Sequence, residues 1–380
     1  MMANRVPIDT YCEKKIPTLQ NTYDGLIDYI DISSVDNTAK KIISYQTIDA
    51  TEAPSRAKQL LQQGDVLVSM VRPNLNAVAV VEEASENLMV GSTGYCVLRC
   101  KDTMDVRYLF NFCQSQYFVD DMSSQATGAS YPAVSNSIVR GSLIPCHSIE
   151  EQKAIASVLD KISELISLHK QQLAKLDELV KSRFIELFIG KGYPTKTVDE
   201  VSLGKGEYGA QSASVEYDPT RPRYVRITDI NDDGTLNDDV AASINPADDE
   251  QYKLEYGDFM FARMGATVGK TYAFVEGNQI FAGYLIRYRL NQILINPRYL
   301  FWYTRLDEYW SWVKLNQSGA AQPGINAKKY GSLQIPLPPI EEQNEFAAFV
   351  EQTDKSKLAI QESLAKLETL KKSLMQQYFG

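Results

Sequence analysis

Two stretches of the chain, 191 positions apart, open in the same way: IPCHSIEEQKAIASVLD from Ile144 and IPLPPIEEQNEFAAFVE from Ile335. Sliding the sequence on itself by that offset places Ile144, Pro145, Ile149, Glu150, Glu151 and Gln152 on Ile335, Pro336, Ile340, Glu341, Glu342 and Gln343. The match continues without a gap through Leu173-Ala-Lys-Leu176 on Leu364-Ala-Lys-Leu367, Leu179 on Leu370 and Phe188 on Phe379. Upstream, Tyr108-Leu109-Phe110 falls on Tyr299-Leu300-Phe301, and the offset then drifts to 193 (Gly64-Asp65 on Gly257-Asp258) and 195 (Tyr29 on Tyr224), as small loop-length changes require. Such self-similarity leaves few folds open. At 380 residues the chain also exceeds the size at which one core keeps growing. It reads as two copies of one unit of about 190 residues, each a globular part followed by a long helix.

The first helical region, Ile149 to Phe188, has neither Pro nor Gly before Gly190. Leu159, Ile166, Leu173, Val180 and Leu187 recur every seven residues, and Ile155, Ile162, His169 and Leu176 form the second seam position. That is a coiled-coil pattern. The second copy has Phe346, Val350, Ile360, Leu364, Leu367, Leu374 and Tyr378, but Thr353, Lys357 and Lys371 intrude, which predicts a looser, partly solvated section. Roughly 40 residues make each helix about 60 Å long. Glu150-Glu151 and Glu341-Glu342 fall in the first turn, where the helix dipole favours acids. Pro338-Pro339 stiffens the approach to the second helix; Cys146-His147-Ser148 stands there in the first copy, so the first approach is expected to be the less rigid.

Each long helix needs a partner for its apolar stripe, and the other copy's helix supplies one. The expected fold is α+β: two mixed α/β domains joined by a pair of long antiparallel coiled-coil helices, in a pseudo-two-fold internal repeat with the globular parts at opposite ends. The divisions are 1–148 and 190–339 for the globular domains, and 149–189 and 340–380 for the helices. Strands are expected in GDVLVSM (Gly64 to Met70), AVAVV (Ala77 to Val81), YCVLR (Tyr95 to Arg99), GDFMFAR (Gly257 to Arg263), TYAFV (Thr271 to Val275) and YLIRYRL (Tyr284 to Leu290). Helices are expected over Val106 to Met122 and Pro297 to Val313.

Catalytic patterns are missing from the sequence. His147 and His169 are the two histidines, and the second occupies a seam position. No GxxxxGK[ST] loop and no GxGxxG follows a strand; GATVGK at Gly265 has the wrong spacing. Leu337-Pro-Pro-Ile340 lacks the amide and the aromatic ring with which amino-methyltransferases hold a target amine. Cys12, Cys96, Cys100, Cys113 and Cys146 are odd in number and form no CxxC pair, so they read as reduced and mostly buried thiols. With no spanning run and no secretory leader, the expected location is the cytoplasm. Net charge is −9, which argues mildly against a bulk electrostatic grip on nucleic acid. Acids cluster between Asp229 and Glu250, 22 residues without Lys or Arg, so an anion-binding face must lie elsewhere.

The junctions TGASYPAVSNSIVRGSLIPCHSIEEQ (Thr127 to Gln152) and SGAAQPGINAKKYGSLQIPLPPIEEQ (Ser318 to Gln343), with GDVLVSMVRPN and GDFMFARMGATVGK, resemble the specificity (S) subunit of type I restriction-modification enzymes. The resemblance covers the whole chain. Copy one departs from it with Tyr131 where copy two has Gln322, and Ser135 where it has Asn326. It implies a non-catalytic chain whose two target recognition domains each read half of a bipartite site in double-stranded DNA. The helices would set the spacing and bind two methyltransferase subunits, which carry S-adenosylmethionine; this chain would hold no cofactor. A restriction subunit can join, and no membrane is involved. Readers about 60 Å apart correspond to under two turns of duplex at about 34 Å per turn.

Chemistry and position then nominate contacts. Arg72, Asn74 and Asn76 lie in a turn whose side chains suit guanine and adenine edges. Arg263 and Lys270 flank the counterpart turn. Arg56 and Lys58, in the loop before Gly64, suit phosphate, as do Arg221, Arg223, Lys328 and Lys329. Tyr95, Tyr131, Tyr284 and Gln322 complete the set. Two other classes stay open: an autonomous enzyme with an unfamiliar site, and a structural adaptor that never touches DNA.

Overall fold

Glycine at positive φ (Gly64, 89°; Gly257, 94°) turns each copy into its central strand. In the computed structural model, which describes residues 4–20, 22–244, 250–319 and 323–380, the chain divides into two compact units. One comprises Met1–Gln171 with Gln361–Gly380, and the other Gln172–Ile360.

In unit 1 the strand Val66–Ser69 lies between Val78–Val80 and Tyr95–Leu98, antiparallel to both. Alternation sends Val66 and Val68 into a core with Tyr108, Leu109 and Phe112, and Leu67 into another with Ile30 and Tyr95. A second sheet follows the order Gln46–Asp49, Leu26–Ile30, Leu88–Ser92, Ala57–Leu60, with its middle pair parallel. Unit 2 repeats the plan: Asp258–Ala262 lies between Leu285–Arg289 and Thr271–Ala273. Its parallel pair is Arg223–Val225 with Gln279–Phe281, and Tyr224 takes the position of Tyr29. The six expected strand runs all contain strands. The repeated Gly-Asp has a structural reason as well: Asp65 is buried and takes two hydrogen bonds from Arg99, at 2.8 and 2.7 Å. Asp258, equally buried, accepts from the Glu255 amide at 3.0 Å, as Asp65 does from Gln62 at 2.9 Å.

Each expected helix ahead of the junction is broken in two. Helices α1 (Val106–Cys113) and α2 (Gln116–Gln125) separate because Ser115 leaves the helical conformation and caps Phe118 with its hydroxyl. Unit 2 breaks likewise between Pro297–Tyr303 and Asp307–Asn316. Short helices follow at α3 (Asn136–Gly141) and, in unit 2, Ala327–Gly331. In chain order the long helix Ile149–Phe188 is α4, the three short unit 2 helices are α5, α6 and α7, and the last long helix, Ile340–Phe379, is α8. Among the described residues no helix is long and apolar enough to cross a membrane.

Within each unit the two long helices run antiparallel. In unit 1 His169 Nε2 lies 3.0 Å from Ser363 Oγ, and Lys170 pairs with Glu368 at 3.0 Å; in unit 2 Asp177 pairs with Lys357, and Phe184 meets Phe346 with ring centroids 5.3 Å apart. Ile155, Leu159, Ile162, Val180, Phe346 and Val350 are buried, whereas Ile166, Leu173, Leu176, Ile360, Leu364, Leu367 and Leu374 are half-buried. The heptad fails at its end: Phe184 and Phe188, spaced by four, enter the unit 2 core and leave Leu187 at its margin. Thr353 does not loosen α8 either, because it is buried and its hydroxyl donates to the Phe349 carbonyl at 3.0 Å.

Candidate nucleic-acid interface

The strand Val66–Ser69 runs out into the turn Met70–Asn76, and the loop after α2 crosses it. Val134 donates to the Met70 carbonyl at 2.9 Å and Arg72 to the Pro132 carbonyl at 2.7 Å. Unit 2 makes the same crossing: Ile325 donates to Arg263 at 2.9 Å and Gly265 to Pro323 at 2.9 Å. These bonds fix the correspondence between the turns. Arg263 stands where unit 1 has Met70, and Arg72 stands where unit 2 has Gly265. The turns are equivalent, but their arginines are two residues apart.

That displacement shows in the backbone. Arg72 holds φ 50° and Asn76 φ 48°, both left-handed, where unit 2 uses Gly265 (71°) and Gly269 (89°). A side chain in that region costs about 1–2 kcal/mol, so unit 1 keeps an arginine at a position where glycine would be easier. The Arg72 guanidinium lies 4.8 Å from the centroid of Tyr131, which is 68% exposed. Arg263 lies 4.8 Å from the Tyr208 centroid, and Tyr208 is 43% exposed. A ring face holds the planar cation and leaves N–H groups to meet a planar acceptor. Arg72 is exposed, whereas Arg263 is half-buried with Nη1 directed at the Gly283 carbonyl, 3.5 Å away. Tyr208 is not legible in the sequence: it lies on the edge strand Glu207–Tyr208, in the part of the repeat where the copies no longer align.

Other nominated residues gather around these turns. Asn74 is exposed in the same turn as Arg72. Arg56 is exposed, and its carbonyl accepts from Thr93, beside the Gly94 carbonyl that accepts from Met70 at 3.0 Å. Tyr284 is 56% exposed, and its carbonyl accepts from Arg263 at 3.0 Å. The Tyr208 hydroxyl accepts from the Ala327 amide at 3.2 Å, which brings the exposed Lys328 and Lys329 of α7 to the same side. Lys58 lies within the strand Ala57–Leu60 and not in a loop, half-buried. Arg221 is half-buried, 3.4 Å from Asp218. Gln322 lies outside the described residues, as do Asp248 and Asp249 of the acidic run.

Four nominations are corrected. Tyr95 is 0% exposed, donates to the Asp31 carbonyl at 2.7 Å and packs in the core with Ile30 and Leu67, so it is a core residue and not a DNA contact. Asn76 turns inward, donating to the Cys113 carbonyl at 2.8 Å and accepting from Lys40 Nζ at 2.7 Å. Lys270 is taken by the acidic run, 2.8 Å from Asp232, and donates to the Ile230 carbonyl at 3.1 Å. Arg223 is held by Asp238 and by the Asn237 carbonyl, 2.7 Å away.

The repeated glutamine anchors each long helix. Gln152, buried, accepts from the Asp105 amide at 2.9 Å and donates to the His147 carbonyl at 2.9 Å and the Thr103 carbonyl at 3.3 Å. Gln343 accepts from Asn296 at 2.9 Å and donates to Pro338 at 2.8 Å and Leu294 at 3.1 Å. Glu151 closes a capping box with Ser148, whose amide and hydroxyl hold the carboxyl below its ordinary range. Glu342 instead accepts from the Tyr193 hydroxyl. The Cys146-His147-Ser148 approach is also tied down, with His147 Nδ1 2.7 Å from the Tyr108 hydroxyl and Cys146 Sγ 3.0 Å from that of Tyr11. Among the described residues no group of three or more His, Cys, Asp or Glu is placed to hold a metal ion.

Two segments, residues 9–178 and 200–372, match the family model for the type I restriction modification DNA specificity domain. The chain belongs to that family, carries its domain twice, and is a DNA specificity subunit, a non-catalytic component of such systems. It is 20% identical over 382 residues to the StySPI specificity subunit of Salmonella potsdam, covering 93% of this chain and 82% of that one. The EcoKI specificity subunit of Escherichia coli K12 is likewise 20% identical, over 385 residues, with the same coverage. A chain from a structure of type I R-M system assembly and conformational transition superposes with a TM-score of 0.63 at 23% identity, covering 100% of this chain and 97% of that one. The S subunit from M. genitalium gives 0.62 at 14% identity, covering 99% and 96%.

Proposed function

We propose that each unit reads one half of a split duplex DNA site, and that α4 and α8 set the interval between the halves. The observation that carries this is the twofold occurrence of one arrangement: an arginine over an exposed tyrosine ring, at a turn that leaves a buried central strand, in each unit. Arg72 with Asn74 would meet base edges of one half, and Arg263 with Tyr284 those of the other. Arg56, Lys328 and Lys329 would meet phosphates. The helices would dock two methyltransferase subunits that carry S-adenosylmethionine and methylate adenine, and a restriction subunit would join them. The net charge of −9 suits this division of labour, since partner subunits would neutralise much of the phosphate charge.

The test is binding by the assembled methyltransferase complex. Arg72→Ala should weaken binding by about 1–3 kcal/mol when the unit 1 half-site is intact, and by little when that half is already scrambled. Equal loss on both duplexes would make Arg72 a phosphate contact. A complex that retards no duplex at low salt would favour an adaptor.

A further inference from the structure

Cys12 and Cys100 face each other across an isolated antiparallel bridge in unit 1. Glu13 donates to the Arg99 carbonyl and Lys101 to the Tyr11 carbonyl, each at 2.9 Å. The cysteines therefore occupy the pair without mutual backbone hydrogen bonds, where opposing Cα atoms approach to about 4.5 Å. A disulfide spans about 4.4–6.8 Å between Cα atoms. Unit 2 builds the same bridge, with Leu203 donating to Arg289 at 2.8 Å and Asn291 to Val201 at 2.9 Å, but fills it with Ser202 and Leu290. The backbone is common to both copies; the paired thiols belong to one.

The surroundings suit reaction at this pair. Arg140, fixed on Asp9 at 2.8 Å and on the Glu13 carbonyl at 2.9 Å, lies near Cys12 together with Lys101. The facing Cys100 thiol and these two cations hold the Cys12 thiol below its ordinary range against burial, while Cys100 is pushed up. Cys12 is buried, and Cys100 is half-buried and within reach of solvent. Burial pushes Cys96 up to about 12 and Cys113 well above its ordinary value, which disfavours either as the attacking thiolate.

We propose that Cys12 and Cys100 form a reversible thiol–disulfide site, oxidised by a peroxide. The Cys12 thiolate attacks hydrogen peroxide; the O–O bond breaks, hydroxide leaves, and Cys12 becomes a sulfenic acid. The Cys100 sulfur then attacks Cys12, the S–O bond breaks, and the thiol proton leaves with that oxygen as water. Two thiols and one peroxide give one disulfide and two waters. The new bond fastens the amino-terminal segment, whose strand Arg5–Pro7 pairs with Leu143–Pro145 just ahead of α4, to the end of Tyr95–Leu98. Unit 2 has no such fastening.

The full chain would be treated with hydrogen peroxide while folded, its remaining thiols blocked with N-ethylmaleimide, and its peptides mapped without reduction. The expected product is a Cys12–Cys100 disulfide that dithiothreitol removes, with a melting midpoint raised by roughly 5–10 °C. Cys100→Ser should lose both effects, and Cys146→Ser, at the exposed thiol, should keep both. Cys12→Ser, which copies the Ser202 of the equivalent bridge, provides a second loss variant. The proposal is overturned if both thiols stay alkylatable once the chain is unfolded, if they end as separate sulfinic acids, or if the melting shift survives in Cys100→Ser.

Discussion

Arg72 and Lys40 show what single residues do at the unit 1 turn. Asn76 closes the turn in a left-handed conformation that Gly269 takes freely in unit 2, and its amide uses both ends internally, on Cys113 and on Lys40. Lys40 is held at about 8, chiefly by burial and then by the Lys371 charge, with Asp36 opposing. Its charged form is thus disfavoured by folding. Between about 8 and the ordinary 10.5 the unfolded chain carries the extra proton, so this group makes stability rise with pH across that window. Lys40→Met should flatten the rise in melting midpoint between pH 8 and 10; parallel profiles for the two proteins would rule out Lys40 as its source. Arg72 is legible in the sequence because the residue types of the turn announce it. The inward turn of Asn76 and the burial of Tyr95 are not, because their partners lie far off in the sequence: Cys113 and Lys40 for Asn76, Asp31 for Tyr95.

Among elements, the long helices are the most legible and their attachments the least. Heptads place Ile155, Leu159 and Ile162 in the seam, and all three are buried. The same pattern does not foresee Phe184 and Phe188, off its seam positions, packing on both Phe346 of α8 and Tyr299 of the unit 2 core, or Phe379 packing on Tyr108 in unit 1. There an aromatic core overrides the period of seven. The echoed IEEQ draws attention to its acids, but its glutamine holds more: Gln152 and Gln343 each bind three backbone groups. Gln152→Leu should cost roughly 2–4 kcal/mol in chemical denaturation, because it strands buried amide and carbonyl groups. Gln152→Glu, which keeps the acceptor and loses the donors, should fall in between. A Leu variant as stable as the parent would make the anchor incidental.

At the scale of the whole molecule, the 191-residue echo is the organising fact. It predicts the doubled unit, and the two family matches at 9–178 and 200–372 follow it. The offset drift marks where the copies have diverged, and those stretches hold what sequence does not resolve, including Tyr208. If the helices set the interval, their length is a dimension of the DNA site. Because His169 faces Ser363, seven residues inserted after Lys170 need seven more in α8 near Glu362 to keep the seam in step. The matched insertion adds about 10 Å, or roughly 3 base pairs at 3.4 Å each, and the preferred gap should widen accordingly in a binding selection. An unchanged gap would contradict the ruler role.

The most direct test is the pattern of methylated adenines in the genome of cells carrying this chain with its methyltransferase partner, compared with Arg72→Ala and Arg263→Ala cells. Two readers at a fixed interval predict a motif in two specified halves around an unspecified gap, with each variant relaxing positions in one half and sparing the other. A contiguous motif, or two variants that blur the same positions, would contradict them.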